Sequence, residues 1–242
     1  LMERENLITS LLKANKTAAT GALSASIAHE LNQPLGASQL NIQFLQKKLA
    51  DGNLTPQQNQ EVLTALLADN QRATSIIQSL RSIFSDGKIG VERINMNDLI
   101  EMVLNIAKPE IQAKNIKVTL VLGSSSYINA NRGEIQQVLL NLINNSIQAL
   151  SVSKRSSRTL EIESRDVSSG IEFVVRDNGG GVPADARPHL FELLSSSNKR
   201  SGMGLGLWLC QHIVSRHGGR IRYEDAASGG AQFTVFLPST QD

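Results

Sequence analysis

The first 90 positions hold only one valine, Val62, and two aromatic residues, Phe44 and Phe84, types that strands prefer. That scarcity constrains the fold more than any other feature, because β-sheets are built from β-branched and aromatic residues. The same region is rich in Leu, Ala, Gln, Asn and Ser, which favours helices. Leu23, Ile27, Leu31 and Leu35 recur every four residues, the spacing of one apolar stripe on a helix running from about residue 3 to 49. Ala50-Asp-Gly-Asn-Leu-Thr-Pro56 reads as a turn, with Thr55 as N-cap and Pro56 at the first helical position. A second stripe, Val62, Leu66, Ala73, Ile76, Ile77, Leu80 and Ile83, carries a second helix to about Phe84, where Ser85-Asp-Gly-Lys-Ile-Gly90 breaks it. Two long helices and a short turn make an antiparallel hairpin. Such a hairpin cannot bury both stripes alone, and pairing two copies into a four-helix bundle would.

From about residue 93 the texture changes. Helical patterns at 97–114, 132–153 and 205–217 alternate with strand-like runs at 116–122, 127–130, 159–165, 171–177, 220–224 and 232–237. This predicts an α/β or α+β domain of about 150 residues, with helices on one face of a mixed sheet. The expected division is 1–90 for the all-α hairpin and 91–242 for the mixed domain. With 24 Lys and Arg against 22 Asp and Glu, the charge is too balanced for nucleic acid or an anionic membrane as main partner. A single cysteine, Cys210, excludes a disulfide framework and suits a reducing compartment. No apolar run approaches the ~18 residues of a membrane span. The start, LMERENLITS, is too polar for a secretory leader and opens inside a helical pattern, which predicts a segment of a longer protein.

Ser26-Ile-Ala-His-Glu-Leu-Asn-Gln-Pro34 is the first run with chemical interest. At ~100° per residue, His29 lies about 200° around from Ile27 and from Leu31, so it faces away from the apolar stripe. Gln33 shares its face one turn on, and Glu30 flanks the ring. A neutral imidazole beside a carboxylate is a competent nucleophile near pH 7. Alone, the pair reads more readily as a solvated surface His and Glu. The remaining histidines, His189, His212 and His217, do not make a zinc-type i, i+4 pair.

Three further runs follow. On the helix 134–150, Asn141 and Asn145 share a face with Gln137 and Gln148, while Val138, Leu142 and Ala149 take the apolar side. Asparagine is a mediocre helix former, so three of them (Asn144 is the other) point to a task, such as meeting a hydrated Mg²⁺ with amide oxygens. A polar solvated face is the plainer reading. Ile171 to Pro183 is a strand ending in Asp177 and a glycine turn; Asp177 can accept from an exocyclic amine, and Gly179 and Gly181 allow close backbone approach to a flat base. Gly202, Gly204 and Gly206 expose backbone N–H groups at a helix start, which attracts phosphate. Either glycine cluster alone could be an ordinary turn, and the second lacks the preceding strand of a dinucleotide-binding fingerprint.

In this order, the four runs are very specific. The chain resembles the bacterial sensor histidine kinases over essentially its whole length: His29 matches the H box, Asn141 and Asn145 the N box, and Asp177, Gly179 and Gly181 the G1 box. Gly202, Gly204 and Gly206 match the G2 box, and Phe191-Glu192 is similar to the F box. His-Glu-Leu-Asn-Gln-Pro-Leu is similar to the subgroup that includes oxygen-sensing and dicarboxylate-sensing kinases.

The resemblance implies a dimerisation and phosphotransfer hairpin, forming a homodimeric four-helix bundle, followed by an α/β sandwich that binds ATP. It implies transfer of the ATP γ-phosphoryl group to His29, then to an aspartate of a response regulator receiver domain. Asn145 would ligate Mg²⁺, Asp177 would bind the adenine amine, Lys199 would contact phosphate from a lid, and Glu30 would orient or deprotonate His29. It also implies the cytoplasmic part of a longer sensor, with no membrane contact within this segment. Two departures stand out. Phe191-Glu-Leu-Leu-Ser-Ser-Ser-Asn-Lys199 has one residue more than the family's usual lid, and Gln33 stands where many relatives carry Thr or Asn to orient a hydrolytic water, which leaves phosphatase activity open. The related gyrase and Hsp90-type ATPases need a glutamate where Asn141 stands; an amide cannot take a proton, so fast hydrolysis is not expected.

Overall fold

The structure is a computed structural model that describes residue 28 and residues 31–84, 90–192 and 205–239. It divides into two compact units, Leu1–Phe84 and Ser85–Asp242.

In the first unit, helix α1 occupies 31–50 and helix α2 spans Pro56–Phe84. The turn between them is fixed by the expected cap. The Gln58 N–H donates to Thr55 Oγ1 (3.2 Å), and the Thr55 N–H donates to Gln58 Oε1 (3.3 Å). Each thereby satisfies an otherwise orphaned donor, the reciprocal bonding of a capping box, with Pro56 where its missing N–H costs nothing. Gly52 takes φ +67°, the left-handed conformation that ends α1. Across the hairpin, the Ser38 hydroxyl donates to Asp69 (3.5 Å). Pro34, Val62 and Ile76 are buried, whereas Leu40, Leu49, Leu67 and Ile77 remain 68, 72, 65 and 54% exposed. Ile77 was expected in the buried stripe together with Ile76; adjacent residues lie about 100° apart on a helix, and one hairpin face covers only Ile76.

The second unit is a two-layer sandwich. Its elements are β1 (Glu92–Asn95), α3 (Met96–Ala113), β2 (Ile116–Leu122), β3 (Tyr127–Ala130), α4 (Arg132–Val152), β4 (Arg158–Val167), β5 (Gly170–Asp177), a 3₁₀ turn (Arg187–His189), α5 (Leu205–Arg216), β6 (Arg220–Asp225) and β7 (Ala231–Pro238). The main sheet runs β2-β4-β5-β7-β6, with β2 and β4 parallel and every other pair antiparallel. It is the mixed sheet that the alternating pattern predicts. The short β1 is not foreseen: Glu92–Asn95 shows no strand-like alternation of its own, and it exists through antiparallel pairing with β3.

Side-chain alternation decides which face is covered. Ile171, Phe173 and Val175 of β5 are fully buried in one core with Leu160 and Ile162 of β4, Val235 and Leu237 of β7, and the inner faces of α3, α4 and α5. Asp177 continues that odd-numbered series, so the sheet's last inward position is a carboxylate. Helix α4 is buried over a wide arc, including Ile135, Val138, Leu139, Leu142, Ile143, Ser146, Ile147 and Leu150. Ala149, expected on its apolar side, is only half-buried, because it lies beneath the turn after β5 rather than in the core. Among the described residues no helix is long and apolar enough to cross a membrane.

Candidate nucleotide-binding site

Strand β5 delivers Asp177 into the interior at the sheet's end, where its side chain is 2% exposed. A carboxylate so buried requires donors. The Gly179 N–H gives Oδ1 a bond of 2.7 Å, and the Ala231 N–H one of 3.4 Å. Burial nevertheless dominates and holds the Asp177 pKa above the usual carboxylate value, against the lowering effect of the Gly179 and Ala231 N–H donors and of the nearby Ser146 hydroxyl.

The turn is glycine-rich for reasons of space. A Cβ on Gly179 would sit 2.9 Å from Asp177 Oδ1 and 3.1 Å from the Ala149 Cβ, so glycine is required for the turn to close over α4. Gly181 has φ +68°, which only glycine adopts without strain. The neighbouring Asn178 locks the turn to β4: its Oδ1 accepts from the Thr159 N–H (2.8 Å), and its amide donates to the Ser157 carbonyl (2.9 Å).

Two groups at this site have only a faint sequence signal. Gly230 backs directly onto Asp177, since a Cβ there would meet the Asp177 carbonyl oxygen at 2.1 Å. The Gly229-Gly230 pair just before β7 is the trace it leaves in the sequence. Ser146, on α4, is 1% exposed, and its hydroxyl lies close enough to Asp177 to favour the charged carboxylate without hydrogen-bond geometry to any group. A lone serine in an apolar stripe gives no comparable warning.

Of the α4 asparagines, Asn141 meets the start of α5. Asn141 accepts from the Gln137 amide (3.0 Å) and donates to the Gly206 carbonyl (3.3 Å). Its carboxamide therefore braces the two helices, a role the propensity argument leaves unnamed. Asn145, one turn on, is half-buried on the same face and offers a hard amide oxygen of the kind Mg²⁺ takes. Gly206 lies in the first turn of α5, where a Cβ would come 3.9 Å from the Asn141 amide. Phe191 packs partly buried against the core, and Glu192 pairs with His189 at 2.8 Å. Gln33 is exposed on α1. His29, Glu30, Lys199, Gly202 and Gly204 lie outside the described residues.

Two family models match the chain. Residues 19–86 match the His Kinase A phospho-acceptor domain, and residues 130–241 match the histidine kinase-, DNA gyrase B- and HSP90-like ATPases. The chain belongs to the histidine kinases. The sensor protein FixL of Bradyrhizobium diazoefficiens is 31% identical over 98% of this chain and 47% of its own length. The sensory histidine kinase/phosphatase NtrB of Rhizobium leguminosarum is 32% identical over 91% of this chain and 58% of its own length. This histidine kinase chain thus spans about half the length of those curated relatives. In solved structures, the histidine kinase ThkA in complex with the response regulator protein TrrA shares the fold, with a TM-score of 0.71 at 22% identity over 94% of this chain and 64% of that one.

Proposed function

We propose that this chain binds Mg-ATP, transfers the γ-phosphoryl group to His29 and passes it to an aspartate of a response regulator receiver domain. The observation that carries the proposal is one of order. A single polypeptide holds a phospho-acceptor match that includes His29, followed by an ATPase match in which β5 ends at the buried, glycine-wrapped Asp177. The complex of ThkA with TrrA supports the class of partner.

Asp177 accepts a hydrogen from the adenine amine, and the N-terminus of α5 draws the phosphates, since the first turn of any helix has N–H groups without an intrahelical acceptor. The Asn145 oxygen would hold Mg²⁺, which when bound neutralises phosphate charge. A neutral His29 nitrogen attacks the γ-phosphorus as the bond to the bridging oxygen breaks; ADP leaves, and the imidazole proton passes to Glu30. Positioning and charge neutralisation are nearly all such a transfer asks of a protein. The Asn141 amide cannot deprotonate a water, and it is already engaged with Gln137 and Gly206. That chemistry favours delivery to a side chain over release of free phosphate.

The exposed Leu40, Leu49, Leu67 and Ile77 of the hairpin are apolar surface that a second copy would cover, which supports a homodimer. NtrB is named a kinase/phosphatase, and Gln33, exposed on α1, is the residue we assign to orienting a water that hydrolyses the regulator's aspartyl phosphate and releases inorganic phosphate. A cytoplasmic setting, where ATP and regulators are found, follows from this reading.

Incubation with γ-labelled ATP tests the proposal. Acid-labile, alkali-stable label that disappears in His29→Ala supports the kinase. Free phosphate alone would support an ATPase, and neither product would leave only a scaffold.

A further inference from the structure

Four groups close a ring around the turn that follows Asp177. The Tyr223 hydroxyl of β6 accepts from the Val182 N–H (3.1 Å) and donates to Asp225 Oδ1 (2.7 Å). Asp225 Oδ2 pairs with Arg187 (2.8 Å), and Arg187 Nε–H donates back to the Val182 carbonyl (3.0 Å). The guanidinium also lies 5.9 Å from the Tyr223 ring centroid, and that ring packs on Phe233 at 5.4 Å. Both backbone polar groups of Val182 are thus held by side chains from outside its own turn.

The turn needs such a hold. Gly179-Gly180-Gly181 is a run of three glycines, and an added Cβ at Gly180 would meet nothing within 4 Å. Glycine loses more conformational freedom on ordering than any other residue. One end of the run is pinned where the Gly179 N–H meets Asp177, and the ring at Val182 pins the other. The Tyr223 oxygen is also 3.8 Å from the position a Gly181 Cβ would take, so the hydroxyl sits directly against the turn.

We propose that Tyr223, with Arg187 and Asp225, is a clasp that pre-orders the glycine turn for the nucleotide base and so sets ATP affinity. It acts through the turn and touches no reacting atom: it is a positioning residue. The inference rests on the assignment of Asp177 as the base-reading carboxylate. Burial first, and then its bond to Asp225, push the Tyr223 phenol pKa up, so the donor to Asp225 persists at neutral pH. The exposed Arg187–Asp225 pair adds little by Coulomb attraction alone, and its effect lies in geometry.

The consequence is specific. Without the clasp, bound nucleotide must order the turn itself, which weakens binding and leaves the later chemical step alone. Calorimetric titration of the 242-residue chain with Mg-ATP, paired with the kinetics of His29 labelling, reads this out. Tyr223→Phe keeps the ring and removes the hydroxyl; it should raise Kd and KM about three- to tenfold and leave kcat within about twofold. Arg187→Lys should cost less in that background than alone, because both groups hold Val182. Glu224→Gln, a neighbour that accepts from Gln232 on the opposite face of β6, should move neither parameter. An unchanged Kd in Tyr223→Phe, or a fall in kcat and melting temperature without a change in KM, overturns the clasp. Wild-type protein that fails to bind ATP would instead overturn the assignment of the site.

Discussion

Asn141 donates its side-chain amide to the Gly206 carbonyl at 3.3 Å, so a residue on α4 fixes where α5 begins. An aspartate has no N–H to donate and would set a carboxylate against that carbonyl. Asn141→Asp should therefore lower unfolding free energy by about 1–3 kcal/mol in urea melts. It should weaken Mg-ATP binding as well, because the start of α5 is where phosphate is expected.

Asp177 gives a trade between stability and binding. Burial raises its pKa in the fold, so the folded state holds the proton more tightly than the unfolded chain does. Stability contributed this way is present below the ordinary carboxylate pKa and is lost as pH rises through the folded value. At neutral pH the ionised group is therefore a net cost. Asp177→Asn keeps an oxygen for the Gly179 and Ala231 N–H groups and removes the charge. Its melting temperature should be higher than wild type at pH 7, while ATP affinity should fall by about 100-fold or more, since an amine would meet an amide donor. A variant less stable than wild type would contradict the sign.

Most of the fold could be read from residue types. The mixed domain's three helices and six of its seven strands fall where the sequence pattern places them, because each packs an apolar face against the core. The capping box at Thr55 was half-legible: the cap and Pro56 follow from residue type, whereas the return bond from Gln58 depends on geometry. Strand β1 was not legible, since its stability comes from β3 and not from its own four residues. In the site, Asp177 and the glycines stood out because they break the pattern of a strand. Gly230, Ser146 and Tyr223 did not, because their positions depend on packing between segments distant in sequence.

Asp166 predicts an acid limit. It accepts from the Ser124 hydroxyl (2.7 Å), the Ser125 N–H and hydroxyl (2.9 and 2.8 Å) and the Ser126 N–H (3.2 Å). Desolvation opposes the charge, but these donors outweigh it and hold the pKa well below the usual carboxylate range. The stabilisation is complete above the ordinary value near 4 and is lost as pH falls through the depressed one. Unfolding free energy should drop between about pH 4 and 2, and by less in Asp166→Asn. Identical acid profiles for the two proteins would contradict this.

Cys210 offers a probe of opening. It is fully buried on α5, and burial pushes its thiol up to about 12. A disulfide reagent needs the thiolate and access to it, and native protein supplies neither. Labelling should be slow in the native state and should accelerate in step with urea unfolding; rapid native labelling would show that the α5 packing opens locally.

The central claim concerns where the phosphorus goes. The most direct measurement is peptide mapping of the chain after incubation with Mg-ATP, with ³¹P resonance to identify the bond formed. A phosphoramidate on His29, absent in Asn145→Ala protein that still dimerises, is the predicted result. Phosphate found only free in solution, or on any other side chain, would contradict the account.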